Sequence, residues 1–383
     1  MNGTEATDGF LSGTGVPVDP REIEAALTRL WGPSAEQAGG PEVENPNVTR
    51  IVLANVVVIR DGEPDGGTLD ATIDEVVRRF PCRLIVVRRL EGTGGGLTAE
   101  VSALCRLPAP GRPQVCAERI VLNAMRDSFG LVPGAVRPLL EPDLPFVLWW
   151  TFDPRSNPDV FRTLASECSR LVLDLPDPAD ADALRFGLNV ANTASCHDAA
   201  WFGLTRPREL VAQFFDAAAH PEALDQIVAV EVRAAARNAA DVPRQAVWIV
   251  AWLAGRLGWT PVGQVRRAPG TLDADFESDG RAIVARIVNE ADPTLIEPSL
   301  LAIKIESRDP ATGATRVFRL SRHEADTPEI HIDVEPSGRG GPPRVVVAPA
   351  IDAPRRIAAA LESARVDRPF HDALPHALRM LGD

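Results

Sequence analysis

The residues best able to do chemistry are few and scattered. Cys196, His197 and Asp198 set a thiol, a base and a carboxylate in one tripeptide, but neighbouring side chains diverge, so adjacency alone makes no nucleophile–base pair. His331 and Asp333 sit two apart in a strand-like stretch and can share a face. Two ligands are too few for a metal, and no HxxxH or HExxH spacing adds others. His371 and His376 are five apart on a polar C-terminal helix, where a solvated face is the default. The glycine run Glu91–Gly96 lacks the Lys-Ser/Thr ending of a phosphate loop and leads into a strand, which makes it a hairpin connection. Arg88-Arg89, Arg256 and Arg266-Arg267 could each read a phosphate, and each is also an ordinary strand or helix end. On this reading there is no catalytic residue, no cofactor-binding residue and no metal ligand, which favours a binding or regulatory role over an enzyme.

Composition narrows the class. The chain has 383 residues, 45% of them hydrophobic and 24% charged, enough to bury cores without disulfide staples. A net charge of -13 argues against a sequence-independent grip on nucleic acid or anionic membrane. Five cysteines (Cys82, Cys105, Cys116, Cys168 and Cys196) form no CxxC pair and sit mostly in apolar contexts, which suits a reducing cytoplasm. The N-terminus has neither a basic nor an apolar signal region, and no apolar run is long enough to span a bilayer.

The pattern predicts an α/β (α+β) protein of two domains. Residues 1–18 read as a disordered tail. Residues 19–180 read as an N-terminal mixed-sheet α/β domain, led by a helix that Asp19 caps with Pro20 in its first turn. Its strands are expected at Arg50–Arg60, Cys82–Leu90, Leu97–Leu107, Gln114–Leu122, Phe146–Trp150 and Arg170–Asp174, with helices at Thr68–Arg79 and Val160–Cys168. Residues 181–383 read as helices, with a buried one at Pro243–Leu257, followed by an antiparallel meander of six strands between residues 272 and 347. The densest apolar stretch is Phe146–Trp150, entered through Pro142 and Pro145. Alternation along a strand sends Trp149 and Trp150 to opposite faces, one into a core and the other to a domain or partner boundary.

Several blocks together resemble one family, the OpcA-type glucose-6-phosphate dehydrogenase assembly proteins. They are Pro142–Trp150; Phe80-Pro81-Cys82-Arg83, with Phe and Cys where the family has His and Ser; Cys116-Ala117-Glu118-Arg119-Ile120; Leu204–Leu210 followed by Phe214-Phe215-Asp216; and Trp252–Trp259. The resemblance implies a non-enzymatic protein that binds glucose-6-phosphate dehydrogenase and promotes its active oligomer. It carries over no catalytic residue, and it leaves a redox switch beyond Cys196 without a cysteine. An interface of aromatic and arginine anchors is then expected. Trp149, Trp150, Arg206, Arg208 and Trp259 are the candidates to touch the partner or to support the surface just behind. The rival reading is a sensor or enzyme acting alone on a sugar phosphate through arginines at strand ends.

Overall fold

A computed structural model describes residues 10–12, 16–30, 48–50, 52–62, 68–94, 96–106, 114–177, 181–190, 195–216, 220–324, 327–335, 344–363 and 367–382. The 1–18 tail falls mostly outside these residues, although 10–12 and 16–18 are strands. The chain forms two compact units: Met1–Leu175 with Phe186–His197 and Ala353–Arg365, and Pro176–Arg185 with Asp198–Asp352 and Val366–Asp383.

The first unit is built on one sheet. Its elements are β1 (Phe10–Ser12), β2 (Val16–Val18), α1 (Ile23–Leu30), β3 (Val48–Arg50), β4 (Asn55–Asp61), α2 (Thr68–Arg79), β5 (Arg83–Leu90), β6 (Leu97–Arg106), β7 (Gln114–Met125), α3 (Val132–Val136), β8 (Phe146–Trp150), α4 (Pro158–Glu167), β9 (Arg170–Leu173), α5 (Ala181–Val190) and β10 (Ser195–Asp198). α5 and β10 each straddle the division of the chain into units, with Asp198 in the second. The strand order is β1-β6-β7-β5-β4-β8-β9-β10, and β7 through β9 pair in parallel. Numbered along the chain, the parallel strands run 3-2-1-4-5, the doubly wound arrangement. β5 and β8 are buried along their whole length, and β4 up to its last residue, because both faces of such a sheet are covered. The predicted Arg50–Arg60 strand is two, β3 and β4, which pair with different neighbours. The antiparallel hairpin β6–β7 makes the sheet mixed, as its pattern predicts.

The second unit comprises α6 (Ala199–Phe202), α7 (Thr205–Gln213), α8 (Pro221–Leu224), β11 (Ile227–Ala236), α9 (Arg244–Leu257), β12 (Thr260–Ala268), β13 (Thr271–Ser278), β14 (Arg281–Ala291), β15 (Ser299–Arg308), β16 (Thr315–Ser321), β17 (Glu329–Glu335) and β18 (Arg344–Val347). Its sheet order is β12-β13-β14-β11-β15-β16-β17-β18, antiparallel except between β11 and β14. The expected meander is therefore split in two, with β11 inserted at its centre. A local alternation pattern cannot reveal such a pairing, because β11 precedes both halves in the chain. Alternate residues such as Ala274, Phe276, Ile283, Ile305 and Phe318 are buried, while Arg286 and Val284 on the other face are open.

The Trp252–Trp259 block ends α9, which packs against the C-terminal helix Arg368–Gly382. A Cβ on Gly255 would lie 2.4 Å from the Asp372 carbonyl oxygen, so only glycine permits this approach. Gly258 caps α9 in the left-handed region at φ 64 with open space around it. Gly258→Ala is expected to cost about 1 kcal/mol from backbone strain, and Gly255→Ala roughly 2–3 kcal/mol because two backbones must separate. Equilibrium urea unfolding measures both, and equal costs would contradict the packing account.

Candidate functional site

At the amino end of the first unit's parallel strands, three of the sequence blocks converge on one guanidinium. Arg83 opens β5. Its Nε donates to Glu118 Oε2 of β7 at 2.8 Å, and its Nη1 to Glu24 Oε1 of α1 at 2.9 Å and to the Leu139 carbonyl at 2.8 Å. Its Nη2 lies 2.8 Å from Glu141 Oε1, one residue before Pro142. Asn55, the first residue of β4, holds the Glu141 backbone in both directions, at 3.0 and 2.7 Å. The side chains of Arg83 and Glu118 are 4% and 1% exposed, so their attraction is little screened and neither charge can fall back on water. This cluster joins four segments and engages every nitrogen of the Arg83 guanidinium.

The carboxyl end is where doubly wound sheets bind ligands, at the point where strand order reverses. Here that point lies between β4 and β8, and the chain's own side chains cross it. Arg89, from the end of β5, forks onto Asp61 of β4 at 2.9 and 2.6 Å and donates to Ser156 Oγ at 2.9 Å. Its guanidinium lies 4.2 Å from the centre of the Phe152 ring. The Arg89 hydrogen bonds hold the Asp61 carboxyl below the usual carboxylate range. The residues after β4, Gly62 to Gly67, do not spell GxGxxG.

In the second unit, Asp198 is fully buried and acts as a hub. One oxygen caps α6 through the Ala200 N–H at 3.0 Å, and the other accepts from Trp248 Nε1 at 2.7 Å and pairs with Arg244 Nε at 3.3 Å. The Arg244 backbone N–H donates to Asp177, whose carboxyl is pushed up by burial. Trp201 stacks edge-on against Trp248 and Phe370, with centroids 5.5 and 5.4 Å apart, and donates to Asp367 at 2.8 Å. In the first unit, His197 Nδ1 lies 3.3 Å from Ser195 Oγ. Cys196 is buried, so its thiol is shut away from any substrate. The tripeptide is thus a folding device. The role of Asp198 was hidden in the sequence because its partners lie about 50 residues downstream.

The candidate contact residues have varied surroundings. Trp149 and Trp150 are both fully buried, so neither ring is open to an outside partner: the first donates to Asp174 at 3.2 Å, and the second packs on Phe152 and Phe161 at 4.9 and 5.0 Å. A covered parallel sheet buries both of its faces, which removes the expected split between core and boundary. Trp259 is also buried, 5.8 Å from Phe276. All three tryptophan rings are thus enclosed by the chain itself. Arg208 lies 3.6 Å over the Trp201 ring and donates to the Leu204 carbonyl, and burial pushes its pKa down to about 10. Arg206 is part-exposed and pairs with Glu209 at 3.1 Å. Trp149 and Trp150 belong to the first unit, and Arg206, Arg208 and Trp259 to the second.

The open face of the second sheet carries cross-strand ion pairs: Arg286 with Asp273 at 2.7 Å, Arg266 with Asp275 at 2.5 Å and Arg319 with Glu335 at 3.3 Å. A depression of about 930 Å³ lies on it, lined by Glu231, Arg233, Lys304, Arg319, His323 and His331 among others. Among the described residues, no three His, Cys, Asp or Glu side chains are grouped to hold a metal ion, and no helix is long and apolar enough to cross a membrane.

Comparison with known proteins bears on both halves of the chain. Residues 73–185 match the "glucose-6-phosphate dehydrogenase subunit N-terminal domain" and residues 194–374 the corresponding C-terminal domain. An OxPP cycle protein OpcA of Nostoc punctiforme is 30% identical over 255 residues, covering 64% of this chain and 54% of that protein. The protein of the same description in Synechococcus elongatus is 27% identical over 307 residues, covering 77% and 63%. The chain thus spans between half and two thirds of the length of these relatives. Among solved structures, a 3-ketoreductase from Actinomadura kijaniata is similar at 12% identity and TM-score 0.46, covering 85% of this chain and 95% of that one. That likeness is too distant to carry an argument about function.

Two outcomes are expected. Arg83→Met should cost about 3–5 kcal/mol by stranding Glu118, and adding Glu118→Leu should recover part of that loss. Urea unfolding of both variants checks this; simple additivity would contradict the buried pair. Burial pushes the Cys82 and Cys168 thiols up to about 12, so peptide mapping should find both unmodified by a thiol reagent at pH 8 until the protein is unfolded.

Proposed function

The chain belongs to the OpcA-type family of glucose-6-phosphate dehydrogenase assembly proteins, and on that premise we propose that it is a non-catalytic partner that binds glucose-6-phosphate dehydrogenase and favours its active oligomer in the oxidative pentose phosphate cycle. The observation that carries this reading is the match of both family domains along the chain. The internal use of the family blocks supports it. Arg83, Glu118, Gly255 and Trp259 hold elements together, and Arg89 lies across the place where a sheet of this winding takes a ligand.

Such a partner acts by differential affinity: it shifts the dehydrogenase toward the conformation or oligomer that it binds more tightly. Contact is proposed through Arg206 and neighbouring surface. Arg208, stacked on Trp201, fixes the course of α7 from behind, and Trp149, Trp150 and Trp259 stiffen the elements beneath. The cytoplasm is the proposed setting, in keeping with the free thiols of Cys82, Cys168 and Cys196.

The test mixes the purified chain with the dehydrogenase of the same organism. Co-elution on size exclusion is expected, together with a higher rate or a lower half-saturating concentration of glucose 6-phosphate. Arg206→Glu should weaken co-elution while leaving the melting temperature within about 2 °C of the parent, as for a surface change. Two proteins that elute apart, with unchanged kinetics, would end the proposal.

A further inference from the structure

One cation at the carboxyl end of the first unit's sheet is unaccounted for. Register aligns Arg60 of β4, Arg88 of β5 and Asn123 of β7 across three adjacent parallel strands. Arg119, four residues before Asn123, lies on the same face. Carboxylates of α2 reach this face: Asp70 Oδ1 is 2.5 Å from Arg60 Nη1, and Asp74 Oδ1 is 3.3 Å from Arg119 Nη1. Arg88 has no such partner. Among the described residues it makes no hydrogen bond and no ion pair, although it is 8% exposed and its Nε is sealed from water. The Arg119 Nε is likewise buried without an acceptor. Asp70 and Glu100 favour the Arg88 charge only through space, while burial and the neighbouring Arg119 and Arg60 oppose it.

The sealed Nε–H of Arg88 is costly to keep, since its lost hydrogen bond to water goes unreplaced, while the two terminal nitrogens are not sealed. The planar fork of Arg88 matches a tetrahedral oxyanion held by two oxygens. Arg88 stands near the carboxyl end of β5, one strand away from the switch between β4 and β8, and Arg119 lies further back on β7, in register with Leu84. Arg88 is on the opposite face of β5 from Arg89 and so is separate from the fork that crosses the strand switch.

We propose that Arg88, with Arg119 beside it, forms an anion site for the phosphate group of a phosphate monoester. The site needs no partner protein, so its outcome is independent of dehydrogenase binding. The experiment is thermal denaturation and calorimetric titration of the full chain alone, with inorganic phosphate, glucose 6-phosphate and adenosine 2′,5′-bisphosphate as probes and sodium chloride at equal ionic strength as control. Inorganic phosphate is expected to raise the melting temperature saturably and beyond chloride, with one of the two esters binding more tightly than the free ion and so identifying the source. Arg88→Met should melt no lower than the parent without phosphate, since it removes an uncompensated buried charge, and should lose the response. Arg88→Lys keeps the charge but not the fork and should bind about tenfold more weakly. A parent response equal to that of chloride would overturn the site, as would a response that survives in both variants. Esters no tighter than the free ion would overturn its assignment to a monoester.

Discussion

The first unit depends on a single guanidinium that cannot reach water. Arg83 draws a leading helix, two strands and the entry to the Trp-Trp strand onto one point. The interaction is strong because it is buried, and it is demanding for the same reason: every donor must find its acceptor, so the four segments can meet in only one arrangement. The tryptophans follow from this constraint. With Glu141 and Asn55 fixed, β8 is seated beside β4 in register, Trp149 opposite Val58 and Trp150 opposite Ile59, and both rings are enclosed.

Much of this was legible in the residues. The expected strands from Cys82 onward, the helix Thr68–Arg79, the cap at Asp19 and the buried helix before Gly258 follow from periodicity and end signals, and the structure has each of them, although it adds the strands Ser195–Asp198 and Thr260–Ala268. What remained illegible was non-local. No window of sequence shows that β11 lies between two meanders, that β3 and β4 part company after Arg50, or that Asp198 answers Trp248 and Arg244. The site suffered most. Tryptophan and arginine are favoured at interfaces and in cores alike, and only burial and partners tell the two apart: Trp259 packs inside, Arg208 lies on Trp201, and Arg206 is turned outward.

The two ends of the first sheet divide the labour. The amino end is saturated, with every polar group matched around Arg83. At the carboxyl end Arg89 is equally committed, whereas Arg88, one residue earlier and on the other face, is not. Two adjacent arginines on one strand thus have opposite fates because the pleat sends them to different surroundings. A doubly wound scaffold can in this way close its usual crevice and keep a charged spot beside it.

The first unit is also discontinuous along the chain. The helix Ala353–Glu362 belongs to it, and Arg170 of β9 donates to the Ala360 carbonyl at 3.2 Å. On the ribosome, the sheet of this unit emerges before its closing helix, which follows only after the strands of the second unit. The second unit must therefore be synthesised, and can begin to fold, while the first is still unfinished. No single cut in the chain releases either unit whole, and a stop codon anywhere before residue 353 would damage the half of the molecule that was translated first.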